Sequence, residues 1–425
     1  MASSPDGAGP AVPEPRLANW VAGAGVFVAS YDVAALSMAL TRLQHLWRLD
    51  HVLLGVIGSA ALIGMIAGGV AAGFLSDRYG RRLLLVTDFV TYGLGALGCA
   101  LAPAWGWLAA FRILIGVGVG ADFAVVFPYL TETNSARRRG PVMAWALWGA
   151  NFGMLLAYAV SALTARAPDG WRIPLAGGAL LVMPLLFLRR ELPESRAWQQ
   201  GRPIPLARRI ALLWRGAGHA ALWVSSVNWL TYQVSDQGLT VFLPLVLMDL
   251  FGATVAQAGW ASVLIKGVTI PAALGTVWLV EHWGRRPLQV WGFLGRGLSL
   301  SLLGVLCLVD RPHFPPALWT AGLLVVAYAA GAMGPDKTIV ITAAEQSHTA
   351  IRGTTQGIAE ASGRLGGIMG VFGFSLLAGV WGAGAGLLLF GLMALIGWGI
   401  SWRFLPETAD RRAGVPVVSG GAVAG

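Results

Sequence analysis

Apolar residues in this chain come in long unbroken runs, not in the two-residue alternation or the one-sided helical stripe of water-soluble elements. An α-helix needs about 20 such residues to cross the hydrocarbon of a bilayer. The runs predict helices over 18–41, 52–75, 83–103, 105–131, 142–165 and 172–189, then over 219–250, 255–281, 287–309, 315–344, 354–380 and 382–404. Connectors between them are short, with one exception. Residues 190–216, RELPESRAWQQGRPIPLARRIALLWRG, mix Pro, Gln and repeated Arg and read as a linker between two membrane domains. The predicted organisation is all-α: a tail 1–17, a six-helix bundle 18–189, a linker 190–218, a second six-helix bundle 219–404 and a tail 405–425. The opening MASSPDGAGPAVPEPR has no basic start leading into an apolar core, so it reads as a cytoplasmic tail and not as a cleaved signal.

Composition agrees with a membrane protein. Hydrophobic residues make up 56% of the chain and charged residues only 12%, where soluble proteins carry about 25% charge. The 58 Gly suit close helix contact and the 19 Trp suit the headgroup zone. A net charge of +10 does not point to nucleic acid, because the Arg residues are spread over connectors instead of one soluble face. Cys99 and Cys307 lie in apolar runs without metal or redox spacing. The His residues have no neighbours for a metal site or a catalytic triad. No metal, no cofactor and no enzymatic activity are expected; the expected partners are a small-molecule substrate, protons and the lipid bilayer, with the chain acting as a monomer.

The charges also set the orientation. Arg78, Arg81 and Arg82, then Arg137, Arg138 and Arg139, six Arg of the linker, and Arg285 and Arg286 all fall on one side. The other side has Arg42, Arg48, Arg166, Arg172 and Arg311. The positive-inside rule places both termini and the linker in the cytoplasm of a multi-pass protein of the cell membrane.

The halves repeat each other. At an offset of 204, Asp32 falls on Asp236 and DRYGRR (77–82) on EHWGRR (281–286). At an offset of 213, ETNSARRRG (132–140) falls on EQSHTAIRG (345–353) and LPES (192–195) on LPET (405–408). Six helices repeated in parallel imply a pseudo-two-fold axis along the membrane normal.

GFLSDRYGRR (73–82) resembles the 2–3 loop signature of the major facilitator superfamily, and EHWGRR its weaker echo. FRILIGVGVG (111–120) is similar to the superfamily's helix-4 pattern, and LPESR and LPET to end-of-half signatures of its sugar porters. The resemblance covers essentially the whole chain and implies a twelve-helix secondary transporter. It is nearest the proton-coupled sugar, phosphate and organic-acid symporters. VASYDVAAL (28–36) is similar to the sugar-porter stretch with a proton-linked Asp, GADF (120–123) to the helix-4 motif of phosphate symporters, and GPDKTIVITAAEQSHTAIRGTTQGIAEASGRLGGI to their helix-10/11 region. There Arg364 corresponds to a substrate-binding Lys. Where the phosphate symporters have Trp-x-x-x-Asp-x-x-x-Tyr in helix 7, this chain keeps the acid as Asp236 but has Tyr232 and Thr240 on either side. Phe123 follows Asp122 in place of Tyr, and Ala150 stands beside Asn151 in place of the helix-5 Gln, so several phosphate ligands are replaced. The resemblance implies a gating motif of Gly73, Asp77, Arg78, Gly80, Arg81, Arg82, Glu132 and Arg139, echoed by Glu281, Arg285, Arg286, Glu345 and Arg352.

Ionisable side chains at membrane depth are costly and mark functional sites. Asp32, in mid-helix 1, can bind and release a proton, with Arg112 as its expected partner; the alternative is a static bridge between helices 1 and 4. Asp122, ten residues after Arg112, is the second proton candidate, against a packed hydrogen-bonding residue. Lys266 needs a carboxylate such as Asp236, or an anionic ligand. Arg364 stands four residues after Glu360, so it either balances that charge or binds an anion with its planar fork. Asp336 and Lys337, being adjacent, are expected to need separate partners, and Asp88 and Arg296 to steady loops. The expected site is completed by Asn151, Tyr232, Gln233, Asp236 and Gln237. Together these readings favour proton-coupled symport of a small anion from a site between the halves. Sugar or polyol symport and drug or metabolite efflux by antiport are the alternatives.

Overall fold

The computed structural model describes residues 16–134, 136–194, 218–309, 317–339 and 352–405. Its helices are α1 Arg16–Leu46, α2 His51–Tyr79, α3 Arg81–Leu101, α4 Trp105–Thr133, α5 Ala136–Thr164, α6 Arg172–Arg190, α7 Gly218–Phe251, α8 Val255–Gly267, α9 Thr269–His282, α10 Arg285–Val309, α11 Ala317–Met333, α12 Arg352–Trp381 and α13 Ala383–Phe404. Among the described residues there is no strand, and 11 helical spans are long and apolar enough to cross a membrane, with α8 and the start of α9 forming one of them. The chain is a multi-pass, all-α membrane protein.

The described residues divide into two compact units, one within Met1–Ala39 and Ala60–Pro203, the other within Leu40–Ser59 and Ile204–Gly425. In the first, α3 packs on α4 and α6; in the second, α10 packs on α13 and α7 on α12. Small residues permit the close contacts. Gly64 and Gly68 of α2 lie against the α4 backbone at Ile113 and Val117, while Gly116 and Gly120 of α4 lie against Ala61 and Met65 of α2. Gly118 instead faces Asp88 and Tyr92 of α3. GVGVG therefore serves two helix contacts. In the second unit, the first turns of α2 rest on α12: the Ser375 hydroxyl donates to the His51 carbonyl, and Gly55 and Gly58 lie against Phe372 and Val371.

The sequence repeat is also a structural one. Gly80 and Gly284, equivalent at the offset of 204, have φ of +98° and +92°. Side chains strain such a backbone, which is why each connector needs Gly at that point. Arg82 donates to the carbonyl of Arg190 at the end of α6, and Arg286 donates to that of Trp402 near the end of α13, at 2.7 Å. Arg81 donates to the Ser76 hydroxyl at 2.6 Å, and Arg285 to the Val280 carbonyl at 3.3 Å.

Among the described residues two spans are broken, both in the second unit. Pro271 has no N–H for the carbonyl of Gly267 and its ring crowds that carbonyl, so the 255–281 span divides at Val268. The Thr269 hydroxyl donates to the buried Lys266 carbonyl at 2.6 Å. Pro335 similarly ends α11 at Met333. The hydroxyl of Thr276 lies 3.1 Å from the carbonyls of both Ala332 and Met333. Interrupted membrane helices leave backbone carbonyls and helix ends inside the bundle, where they can face a polar ligand.

Candidate functional site

Among the described residues, the buried charged side chains fall into three groups. In the first unit Asp32 of α1 and Arg112 of α4 form an ion pair through Arg112 Nη1 and Asp32 Oδ2, with exposures of 5% and 2%. Tyr31, Tyr92 and Cys99 surround it. The Tyr92 hydroxyl donates to the Val28 carbonyl at 3.3 Å. Arg112 Nε has no hydrogen-bond partner among the described residues. A pair this buried is held chiefly by charge, and removing either partner would leave the other uncompensated.

Asp122 does not join that pair. It meets Arg189 Nη1 at 2.7 Å, and the same nitrogen holds both oxygens of Asp88, at 3.0 and 3.1 Å. The expectation of a loop-steadying role for Asp88 is thereby corrected: Asp88 is fully enclosed beside a fully enclosed Arg189. The end of α6 carries two adjacent Arg, and only Arg190 faces outward. Nothing in the sequence separated Arg189 from the positive-inside signal.

The third group lies in the second unit. Asp236 of α7 pairs with Nη2 of Arg296 of α10 at 3.1 Å. Arg296 Nε donates to the Ser235 hydroxyl at 2.8 Å, and its guanidinium lies 5.3 Å from the Tyr232 ring and 5.6 Å from the Tyr328 ring. Arg296, also expected to steady a loop, thus sits deep in this unit with no exposure. Its place in the middle of the 287–309 run was the signal that should have found it. In the repeat, Asp236 matches Asp32 but Arg296 matches Tyr92, so the acid recurs while its basic partner comes from a different helix. Lys266 closes the group from the last turn of α8, its Nζ 4.3 Å from the centre of the Tyr328 ring. Asp236 acts on Lys266 through space without forming an ion pair with it. Among the described residues the ammonium of Lys266, a residue only 5% exposed, makes no hydrogen bond or ion pair. Lys337 and Asp336, expected to have separate partners, instead pair with each other at 2.8 Å, the long Lys stem bridging the angle between neighbours.

Trp229 links this group to α12. Its ring stacks on Tyr232 at 5.6 Å, and its Nε1 donates to Glu360 at 3.4 Å. Glu360 in turn lies 3.7 Å from Arg364. Gly363 leaves room for Trp229 and for the side chain of the buried Gln233. Gln237 is half-buried one turn beyond Gln233. Asn151 stands in the other unit, on α5, where its Nδ2 donates to the Trp148 carbonyl at 3.4 Å. The structure thus brings together Tyr232, Asp236 and Lys266, and separately Glu360, Arg364 and Gln233.

In the connector motif, the α3 N-terminus is capped by Glu194. The Arg81 N–H donates to Oε1 at 2.9 Å and the Arg82 N–H to Oε2 at 3.2 Å. Gly73 lies in the last turns of α2, and Arg78 is exposed. The side chains of Asp77, Glu132, Arg139, Glu281 and Arg352, and the whole of Glu345, lie outside the described residues.

The family model described as Sugar (and other) transporter matches residues 21–210 and 207–413. The niacin transporter NiaP of Acinetobacter baylyi is 28% identical over 383 residues, covering 82% of this chain and 84% of its own. The inner membrane metabolite transport protein YgcS of Escherichia coli is 27% identical, covering 93% and 91%. Among solved structures, a D-xylose-proton symporter superposes with a TM-score of 0.80 at 24% identity, covering 92% of this chain and 97% of the other.

Proposed function

The chain belongs to the Sugar (and other) transporter family of the major facilitator superfamily, and from that premise we propose that it carries a small organic anion together with protons. The observation behind this reading is a surplus of positive charge. Lys266 and Arg296 face a single carboxylate, Asp236, while Asp336 and Lys337 cancel each other. A buried ammonium that shares one carboxylate with a guanidinium is only half compensated, and a carboxylate ligand would complete it. The rings of Tyr328, Tyr232 and Trp229 give a flat organic anion surfaces to stack on. Niacin, named for the Acinetobacter relative, is a pyridine carboxylate of this kind. Arg364 has Glu360 beside it, so Lys266 is the stronger anchor for the negative group.

The proton is carried by Asp32, whose neutralisation frees Arg112, and by Asp122. Both bundles, 18–189 and 219–404, take part in alternating access, with the termini and the 190–218 linker in the cytoplasm and the monomer as the working unit. The connector residues Gly73, Asp77, Arg78, Gly80, Arg81 and Arg82, with their counterparts in the second half, latch the cytoplasmic ends. The test is uptake of radiolabelled nicotinate into proteoliposomes under an inside-alkaline pH gradient. Accumulation that collapses with a protonophore and is not reduced by excess D-xylose is expected. Competition by neutral sugars with no effect of carboxylates would replace this reading with sugar or polyol symport.

A further inference from the structure

Asp88 from α3, Asp122 from α4 and Arg189 from α6 form an ionic group apart from Asp32 and Arg112, with exposures of 3%, 2% and 0%. The guanidinium is held in place from several sides. It donates to the carbonyls of Leu85 at 3.1 Å and Val21 at 3.4 Å, and it lies 3.6 Å from the Phe89 ring centre. The charges acting on Asp88 are Arg189 and Asp122, and those acting on Arg189 are the two carboxyls. From α1 come the Val21 carbonyl and Gly25, which lies directly against the Asp122 carboxyl. From α2 comes Ala72, in the apolar cluster that continues from Val21 and Leu85 to Ala121 and Val125.

Two carboxyls on one guanidinium, away from water, make a net charge of −1 if both are ionised. Burial disfavours that net charge, and two carboxyls on one cation titrate as a coupled pair, which favours one proton between them. A second observation points the same way: neither oxygen of Asp122 receives a hydrogen bond of normal geometry, although both are buried. Asp88 grips the guanidinium with both oxygens, and Asp122 touches it with one. We infer that this triad holds an exchangeable proton of its own, shared between Asp88 and Asp122, so that the first unit has a second proton site beside Asp32. In the step, one carboxylate oxygen takes a proton from hydronium, an O–H bond forms, water leaves, and the triad passes from −1 to neutral. The inference deepens the proton-coupled reading above and rests on it for its part in transport; Asp88 is what makes the site composite.

Infrared difference spectroscopy on the full-length protein in proteoliposomes tests it without substrate or gradient. The native protein should show a protonated-carboxyl C=O band near neutral pH that shifts in heavy water. The band should be lost in Asp88→Asn and in Asp122→Asn, since each leaves a one-to-one pair, and kept in Asp32→Asn. Survival of every native carboxyl band in both triad variants would overturn the inference. If neither variant inserts, the native protein and Asp32→Asn still decide, because an absent band or one insensitive to heavy water overturns it. A correct band pattern without gradient-driven nicotinate uptake would sink the transport reading and leave the proton site standing.

Discussion

The ammonium of Lys266 lies over the ring of Tyr328, 4.3 Å from its centre, and no carboxylate pairs with it among the described residues. A cation over an aromatic face recovers part of what it loses on leaving water, but less than a carboxylate would return. Lys266→Met should therefore stabilise the ligand-free protein, by about 1–4 kcal/mol if the site repacks as buried ionic sites elsewhere do. The same variant should lose the response to nicotinate. In the native protein, ligand at 100 times its Kd adds about 2.7 kcal/mol, visible as a rise in melting temperature. A variant that melts lower than the native protein, yet still responds to nicotinate, would refute the anion-site assignment.

Asp32 and Arg112 call for a different pair of measurements. Asp32→Asn leaves a buried guanidinium without its counter-charge, which costs about 3–5 kcal/mol. Adding Arg112→Gln should restore part of that loss in the same thermal assay. In proteoliposomes, Asp32→Asn should abolish accumulation against a gradient while exchange of internal for external nicotinate continues. Native uptake should rise as the external pH falls, and the variant's exchange should stay flat. Normal accumulation by the variant would remove Asp32 from the proton path.

Gly25 offers a test of how tightly the α1 backbone is held against Asp122 and Arg189. A Cβ there would stand 2.6 Å from the Asp122 Cγ and 2.7 Å from the Arg189 Nη2. The guanidinium cannot retreat, because Asp88, two carbonyls and Phe89 fix it. Gly25→Ala should cost about 1–3 kcal/mol through overpacking. Gly399→Ala in α13, where nothing lies within 4 Å of the new methyl, should instead be neutral or gain up to about 1 kcal/mol from helix propensity. Equal effects from the two would mean that the triad gives way easily.

The contrast between these sites also shows what the sequence could and could not disclose. Apolar runs located the spans closely, as with 382–404 against Ala383–Phe404, because bilayer thickness fixes their length. The repeat was legible because Gly80 and Gly284 share a backbone that only Gly adopts easily. The breaks at Val268 and Gly334 were missed although Pro271 and Pro335 lay in view, since hydrophobicity counts residues and ignores lost N–H donors. Partner choice was hardest. Asp236 implied a cation, but whether Lys266 or Arg296 supplied it depended on which helix faces meet, and one-dimensional spacing does not encode that.

The Glu194 cap gives the last prediction. Its carboxylate accepts from the first N–H groups of α3, which the chain leaves without helical partners, and it sits at the positive end of the helix dipole. Losing such a cap typically costs about 0.5–2 kcal/mol, so Glu194→Ala should lower stability by that amount. Glu194→Gln keeps an acceptor oxygen and should cost less. Gly80→Ala acts on the same junction by another route, since a methyl at φ +98° and ψ 163° puts about 1–3 kcal/mol of strain into the connector. If the junction is a latch, both Glu194→Ala and Gly80→Ala should change the nicotinate transport rate more than its half-saturating concentration. A changed half-saturation with an unaltered maximal rate would place the junction in substrate binding instead.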